Sequence, residues 1–256
     1  MNFFFKKYLG QHFLKDKEIL NKIALLKKIK NETVVEIGPG KGALTEMIID
    51  QNPKKLIIIE KDKSLLPYLS KIKNKNSKEI EIIIGDALSL NYEELSKDKI
   101  ILIANLPYNI ASTLIIKLVK KSNIFKSMVL MVQKEVAERL SAKVSSKEYG
   151  RISVLMQTQS VIKKCFDISP DKFFPKPNVF STVIKIEIKK KIEFNYQKLD
   201  EILKISFGQR RKTIKNNLKK LELNVEKKIK DCGLSPSLRP QDIKPEEFIK
   251  LSNILI

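Results

Sequence analysis

Short apolar runs alternate with amphipathic stretches of helical length from Asp16 to about Lys190. The runs cover residues 33–37, 56–60, 80–84, 100–104 and 128–132, and most of their positions are Val, Ile or Leu. A strand that is apolar on nearly every position must be covered on both faces, which is the situation of strands in a parallel sheet. Stretches 43–50, 111–121 and 135–143 have the length and patterning of the helices that would cover it. The chain is therefore expected to be α/β, with a mostly parallel sheet. Two later strand-like runs, 161–166 and 182–188, are separated only by a loop and are expected to pair as a closing hairpin with an antiparallel edge. After Lys190 the apolar periodicity becomes helical, in segments near 197–207, 212–221, 225–231 and 245–255. Two domains are expected, 1–190 and 191–256.

The strand ends carry the chemistry. Glu36-Ile37-Gly38-Pro39-Gly40-Lys41-Gly42 follows the first run and precedes a helix. Glycines there let the backbone bend sharply and let a ligand approach without Cβ interference. The spacing is not the G-x-G-x-x-G of dinucleotide binders. Glu60 closes the second run, where a carboxylate suits both hydroxyls of a ribose. Asp86 follows the third, placed to receive an adenine amino group. Singly, each reads equally well as a plain turn or a solvated acid. Together they fall on the edge of an open α/β sheet where ligands bind.

Asn105-Leu106-Pro107-Tyr108 closes the fourth run. An exocyclic adenine amine is a poor nucleophile because its lone pair is delocalised into the ring. Two acceptors aimed at its hydrogens, the Asn105 side-chain oxygen and the Leu106 carbonyl, would hold it and favour lone-pair density on nitrogen. Pro107 stiffens that turn, and Tyr108 offers a face for the base. Methyl transfer to such an amine runs on positioning and needs no strong general base. Phe173 stands in the loop before the last run, either covering the other face of the base or plugging the core. A base gripped this way must leave its helix or loop.

Composition narrows the remaining classes. One histidine, His12, excludes mechanisms that need two imidazoles. Cys165 and Cys232 form no CxxC pair, so neither a zinc site nor a disulfide framework is expected. No apolar run reaches the roughly 18 residues of a spanning helix, and Met1 to Tyr8 lacks the long apolar core of a signal peptide. A soluble, cytoplasmic protein is expected. The formal charge of +21, from 50 basic and 29 acidic side chains, favours a polyanionic partner. Compositional drift toward Lys, Ile and Asn explains part of the same excess.

These segments resemble the KsgA (RsmA) family of small-subunit (16S) ribosomal RNA adenine dimethyltransferases over nearly the whole chain. The resemblance runs through Leu9-Gly10-Gln11-His12-Phe13-Leu14, Glu36-Ile37-Gly38-Pro39-Gly40, Glu60, Gly85-Asp86-Ala87 and Asn105-Leu106-Pro107-Tyr108-Asn109-Ile110. It continues through the segments beginning at Gln133, Tyr149 and Phe174, and through Phe207-Gly208-Gln209-Arg210-Arg211-Lys212-Thr213. It implies a Rossmann-like class I methyltransferase sheet and S-adenosylmethionine as methyl donor. It implies cofactor contacts at His12, Leu14, Gly38, Glu60, Asp86 and Asn105, and an adenine pocket from Asn105, Leu106, Tyr108 and Phe173. His12 replaces the family's commoner Asn. The implied target is two adjacent adenosines in the loop near the 3′ end of small-subunit rRNA. Arg210, Arg211 and Lys212, beside Lys215, Lys219 and Lys220, are expected to grip phosphates of a small ribosomal subunit.

Three other readings compete. A large-subunit (23S) rRNA adenine methyltransferase would share the pocket but usually lacks the Q-R-R-K-T segment. A non-catalytic assembly factor would not need an intact Asn105-Leu106-Pro107-Tyr108. A small-molecule methyltransferase would not need the basic helical appendage. A monomer is expected.

Overall fold

The computed structural model describes residues 10–189, 193–222 and 224–255. Leu9 of the entry motif, the segment from Met1 to Tyr8 and the expected boundary at 190/191 lie outside the described residues. The strands are β1 (Phe13–Leu14), β2 (Thr33–Ile37), β3 (Lys55–Glu60), β4 (Glu79–Ile84), β5 (Ile100–Asn105), β6 (Phe125–Gln133), β7 (Ser160–Ile168), β8 (Phe173–Phe174) and β9 (Ser181–Ile188). The helices are α1 (Lys17–Ala24), α2 (Ala43–Ile49), α3 (Leu66–Asn74), α4 (Ala111–Lys120), α5 (Lys134–Leu140), α6 (Arg151–Gln159), α7 (Tyr196–Gly208), α8 (Ile214–Leu218), α9 (Val225–Asp231) and α10 (Pro245–Leu255).

Seven strands form one sheet in the order β4-β3-β2-β5-β6-β9-β7. From β4 to β6 all neighbours are parallel, and β9 joins β6 antiparallel. This is a Rossmann-like class I arrangement. All five residues of β2 are buried, Thr33 and Glu36 among them, as befits a strand covered on both faces. Val34, Leu56, Ile58, Ile101, Ile103, Val129 and Met131 turn into one core, which Leu20 and Ile23 of α1 and Leu44 and Ile48 of α2 close. The chain leaves β2 toward β3 and β4 on one side and returns to β5 on the other. That reversal separates the loops after β2 and β5 and opens a crevice at their carboxyl ends. The expected strands 161–166 and 182–188 lie side by side, with β9 inside the sheet and β7 on its edge.

A two-residue ladder, β1 with β8, is not announced by any periodicity. It pairs Phe13 with Phe174 and Leu14 with Phe173. The Lys15 amide extends it by donating to the Lys172 carbonyl at 3.0 Å. Asp16 caps α1 by accepting from the Ile19 amide and pairs with Lys172 at 2.8 Å.

The chain divides into two compact units. One comprises the described residues up to Ala137 with Lys163–Ile188, and the other Glu138–Ile162 with the described residues from Lys189 onward. The stretch 138–162, expected within the first 190 residues as one body, thus packs with the C-terminal helices. The physical reason is a core of its own, in which Tyr149, Val154 and Leu155 bury against Leu199, Leu203 and Phe248. The Tyr149 hydroxyl donates to the Ile243 carbonyl at 2.9 Å, and Arg151 pairs with Asp200 at 2.6 Å. Helix α8 is shorter than the 212–221 pattern because Thr213 caps it, accepting from the Asn216 amide at 3.3 Å.

Phe248 is fully buried, with the Phe207 ring 5.7 Å away. Phe248→Ala should lower the stability of this second unit by about 3–5 kcal/mol, read as a lower urea midpoint.

Candidate active site

The crevice at the ends of β2, β3, β4 and β5 is a cleft of about 860 Å³, counting the part open to solvent. Its first wall is the turn after β2. The Gly38 amide donates to the Ile59 carbonyl at 3.0 Å, carrying the strand ladder one residue further before the chain bends. Gly38 and Gly40 both have positive φ, +68° and +60°. A Cβ on Gly40 would stand 2.7 Å from the Phe13 ring, and one on Gly38 would stand 3.4 Å from the Asn105 carbonyl oxygen. Only glycine tolerates both the conformation and the approach.

Three carboxyl groups follow, each in a different environment. Glu60 is 7 % exposed at the end of β3, where its Oε1 accepts from the Asp62 amide at 2.8 Å. Burial pushes its pKa up, and hydrogen bonds from the amides of Asp62, Gly40 and Lys61 pull against that. Asp86 pairs with Lys61 at 2.8 Å and accepts from the Leu88 amide at 2.8 Å. The Lys61 ammonium and that amide hold its pKa below the usual carboxylate range. Glu36 lies deeper, 1 % exposed, accepting from the Thr45 hydroxyl at 2.6 Å. Burial pushes it up to about 8, against the Thr45 hydrogen bond and with a smaller push from Glu60. Glu36 is thus mostly uncharged at pH 7.

The far wall is the turn after β5. The Asn105 Nδ2 donates to the His12 carbonyl at 3.1 Å. A main-chain carbonyl only accepts, so this bond commits the amino half of the Asn105 amide and turns Oδ1 away from it as an acceptor. The Leu106 amide donates to the Met131 carbonyl at 3.1 Å, fixing the peptide of the turn. The Tyr108 hydroxyl meets the Ser181 hydroxyl at 2.5 Å, and its ring stacks on His12 with centroids 5.3 Å apart. The His12 Nδ1 in turn donates to the Pro175 carbonyl at 2.7 Å. Burial raises the Tyr108 hydroxyl above its ordinary pKa.

His12, Gly38, Glu60, Asp86, Asn105, Leu106 and Tyr108 all line this one cleft. Two expected residues do not. Leu14 is 5 % exposed and lines an adjoining cavity. Phe173 is 3 % exposed within the core around Leu14 and Val183. The ring laid against Tyr108 is His12, because strand alternation turns Phe173 inward and Phe174 outward. Sequence reasoning passed over Phe13 and Lys61, whose only signal is adjacency to His12 and to Glu60. In the second unit Arg210, Arg211 and Lys212 are exposed. Arg210 is partly committed, since it donates to the Tyr149 carbonyl at 2.8 Å. Among the described residues no group of three His, Cys, Asp or Glu could hold a metal, and no helix is long and apolar enough to cross a membrane.

The sequence matches the family model described as ribosomal RNA adenine dimethylase over residues 2–256. It is 43 % identical to a ribosomal RNA small subunit methyltransferase A of Malacoplasma penetrans, covering 97 % of this chain and 91 % of that one. It is 40 % identical to the protein of the same name from Ehrlichia ruminantium, covering 98 % of this chain and 97 % of that one. Among solved structures it is similar to a dimethyladenosine transferase from Plasmodium falciparum, with TM-score 0.79 and 29 % identity over 93 % of this chain and 95 % of that one. The fold is also that of the 23S rRNA methyltransferase ErmE, with TM-score 0.74 and 19 % identity over 95 % and 99 % of the two chains.

The raised pKa of Glu36 makes a pH prediction. The unfolded chain ionises this group near 4.5 and the folded chain only near 8. Between those values the unfolded state releases a proton that the folded state keeps, so stability from this group falls as pH rises from about 4.5 to about 8. Glu36→Gln keeps an acceptor for Thr45 and removes the titration. The variant should gain stability over the parent progressively from pH 5 to pH 8, as read by thermal melting across that range.

Proposed function

The chain belongs to the ribosomal RNA adenine dimethylase family, is an S-adenosylmethionine-dependent rRNA adenine dimethyltransferase of the small ribosomal subunit, and, we propose, holds its reactive adenine at the turn formed by Asn105, Leu106, Pro107 and Tyr108. The observation that carries this reading is the hydrogen bond from Asn105 Nδ2 to the His12 carbonyl. It leaves Oδ1 to accept one hydrogen of the target amine, and the Leu106 carbonyl accepts the other. With both hydrogens held, the nitrogen lone pair leaves conjugation and points at the methyl group. The base lies on Tyr108, whose ring is fixed at its hydroxyl by Ser181 and over its face by His12.

The residues of the cleft fit S-adenosylmethionine, which when bound supplies a methyl group on a cationic sulfonium. Glu60 takes the ribose hydroxyls from the end of β3. Asp86, kept anionic beside Lys61, accepts from the adenine amino group of the cofactor. Gly38 lets the amino-acid end approach the main chain, and His12 and Asn105 border it. Leu14 supports this edge from the core beneath. Transfer is positional: the amine is aligned, water is displaced, and the proton of the alkylated nitrogen leaves to solvent. No strong base is required, in keeping with a cleft whose one imidazole is occupied by Pro175.

The target we propose is the pair of adjacent adenosines in the 3′-terminal hairpin loop of small-subunit rRNA, met within an immature subunit in the cytoplasm by a monomer. The unit of described residues up to Ala137 with Lys163–Ile188 is the one we propose binds the cofactor and performs the transfer, and the unit of Glu138–Ile162 with the described residues from Lys189 onward is the one we propose contacts rRNA. Arg211 and Lys212 meet phosphates. Arg210 supports the same loop through Tyr149.

Asn105→Ala should abolish methyl transfer to small-subunit rRNA while leaving RNA binding within about twofold. Full turnover by that variant would remove Asn105 from the reaction. Arg211→Ala with Lys212→Ala should weaken subunit binding and lower the slope of log affinity against log salt by roughly one to two, measured in a salt titration.

A further inference from the structure

A second cavity opens on the other side of Asn105. Phe13, Gly38 and Asn105 line both cavities, so one side chain's width separates them. The second one encloses about 1050 Å³, counting the part open to solvent. Its inner wall is apolar, from Leu14, Leu20, Leu44 and Met47. Lys15, Lys17 and Lys41 stand exposed at its rim. Glu46 is the acid exposed among them, while Glu36 at the base carries little charge at neutral pH. The rim is therefore net positive. Phe174 completes it, 49 % exposed, with the Lys15 ammonium 4.1 Å from its ring centroid. A half-exposed aromatic ring with an ammonium group over it brings together the two elements that bind single-stranded nucleic acid, a surface for a base and a cation for a phosphate, the ammonium exchanging the ring for the phosphate as the base takes its place.

We propose that this cavity receives the base of the nucleotide next to the target adenosine in the same RNA strand, stacked on Phe174, with its phosphate beside Lys15 and Lys41. The proposal rests on the reading that the target adenine is held at Asn105. A base pulled out of its stack leaves its neighbour with one face bare, and the backbone keeps that neighbour within one nucleotide's reach. The adjoining cavity supplies the missing face at that distance. Its apolar wall suits the flat surface of a base, and its lysines suit the phosphate on either side. Pairing of β8 with β1 turns Phe174 outward as Phe173 turns inward, so the ring's position follows from the same ladder that carries His12 toward Asn105.

The test combines a protein change with an RNA change. Phe174→Ala and Phe174→Tyr are assayed on immature small subunits whose rRNA carries the natural nucleotide, or an abasic one, immediately before or after one of the two adjacent adenosines, with methylation scored at that adenosine alone. Phe174→Ala should raise KM for the subunit by about 5- to 150-fold, the range for losing one stacked base. It should leave KM for S-adenosylmethionine unchanged, and Phe174→Tyr should restore the parent value. One of the two abasic substrates should show the same loss with the parent enzyme, and combining it with Phe174→Ala should add nothing further. Losses that multiply, a raised KM for S-adenosylmethionine instead, or no effect of either abasic position would each overturn the proposal. Turnover by Asn105→Ala is a separate readout: it tests the placement of the target adenine and does not depend on Phe174.

Discussion

The hydrogen bond between the Asn105 amide and the His12 carbonyl joins two segments far apart in the chain, and the chemistry of the cleft depends on it. An asparagine side chain carries a donor half and an acceptor half that are nearly alike in shape. Nothing in the strand that bears Asn105 decides which half is left open to the cleft. The carbonyl of His12 decides it, since it can only accept. That carbonyl is itself held in place. Leu14 and Phe13 pair with β8, the Phe13 ring packs against Gly40, and Gln11 donates to Asp62 at 3.0 Å. His12 also reaches across to the Pro175 carbonyl and lies over Tyr108. The entry segment therefore orients the acceptor and backs the aromatic face at once.

The same cleft shows how environment separates residues of one chemical type. Glu36, Glu60 and Asp86 stand at or near three successive strand ends. Glu36 is sealed beneath the glycine turn and holds its proton. Glu60 is nearly as buried, but backbone amides solvate it in place of water, which offsets part of the desolvation cost. Asp86 is half open and keeps its charge beside Lys61. Acceptors thus gather along the strand ends of a chain whose formal net charge is +21.

Much of this was legible in the sequence for a simple reason. Parallel strands joined by crossover helices must end on the same edge, so residues that close successive apolar runs meet in space whatever the loops do. Gly38, Glu60, Asp86 and Asn105 are collected in that way. The short ladder of β1 with β8 was not legible, because two residues carry no period. Phe173 and Phe174 were ambiguous for a related reason. Neighbouring aromatics on a strand point to opposite sides, and which one faces the core depends on distant pairing partners, Leu14 for Phe173 and Phe13 for Phe174. The stretch around Tyr149 carries too few strand or helix signals to show which core it joins.

Local patterning, then, determined the order of strands and helices, the carboxyl-terminal edge on which the cleft opens, and the residue types that meet there, because each follows from periodicity of 2 or 3.6 and from the direction of the chain. Tertiary structure alone decided which half of the Asn105 amide the His12 carbonyl takes, that His12 rather than Phe173 lies against Tyr108, that burial raises the pKa of Glu36 while Lys61 lowers that of Asp86, and that Arg210 is drawn to a main-chain carbonyl. Those outcomes turn on contacts of a few ångströms between distant segments, where burial and the partner's single donor or acceptor set the result, and no sequence window contains both sides of such a contact.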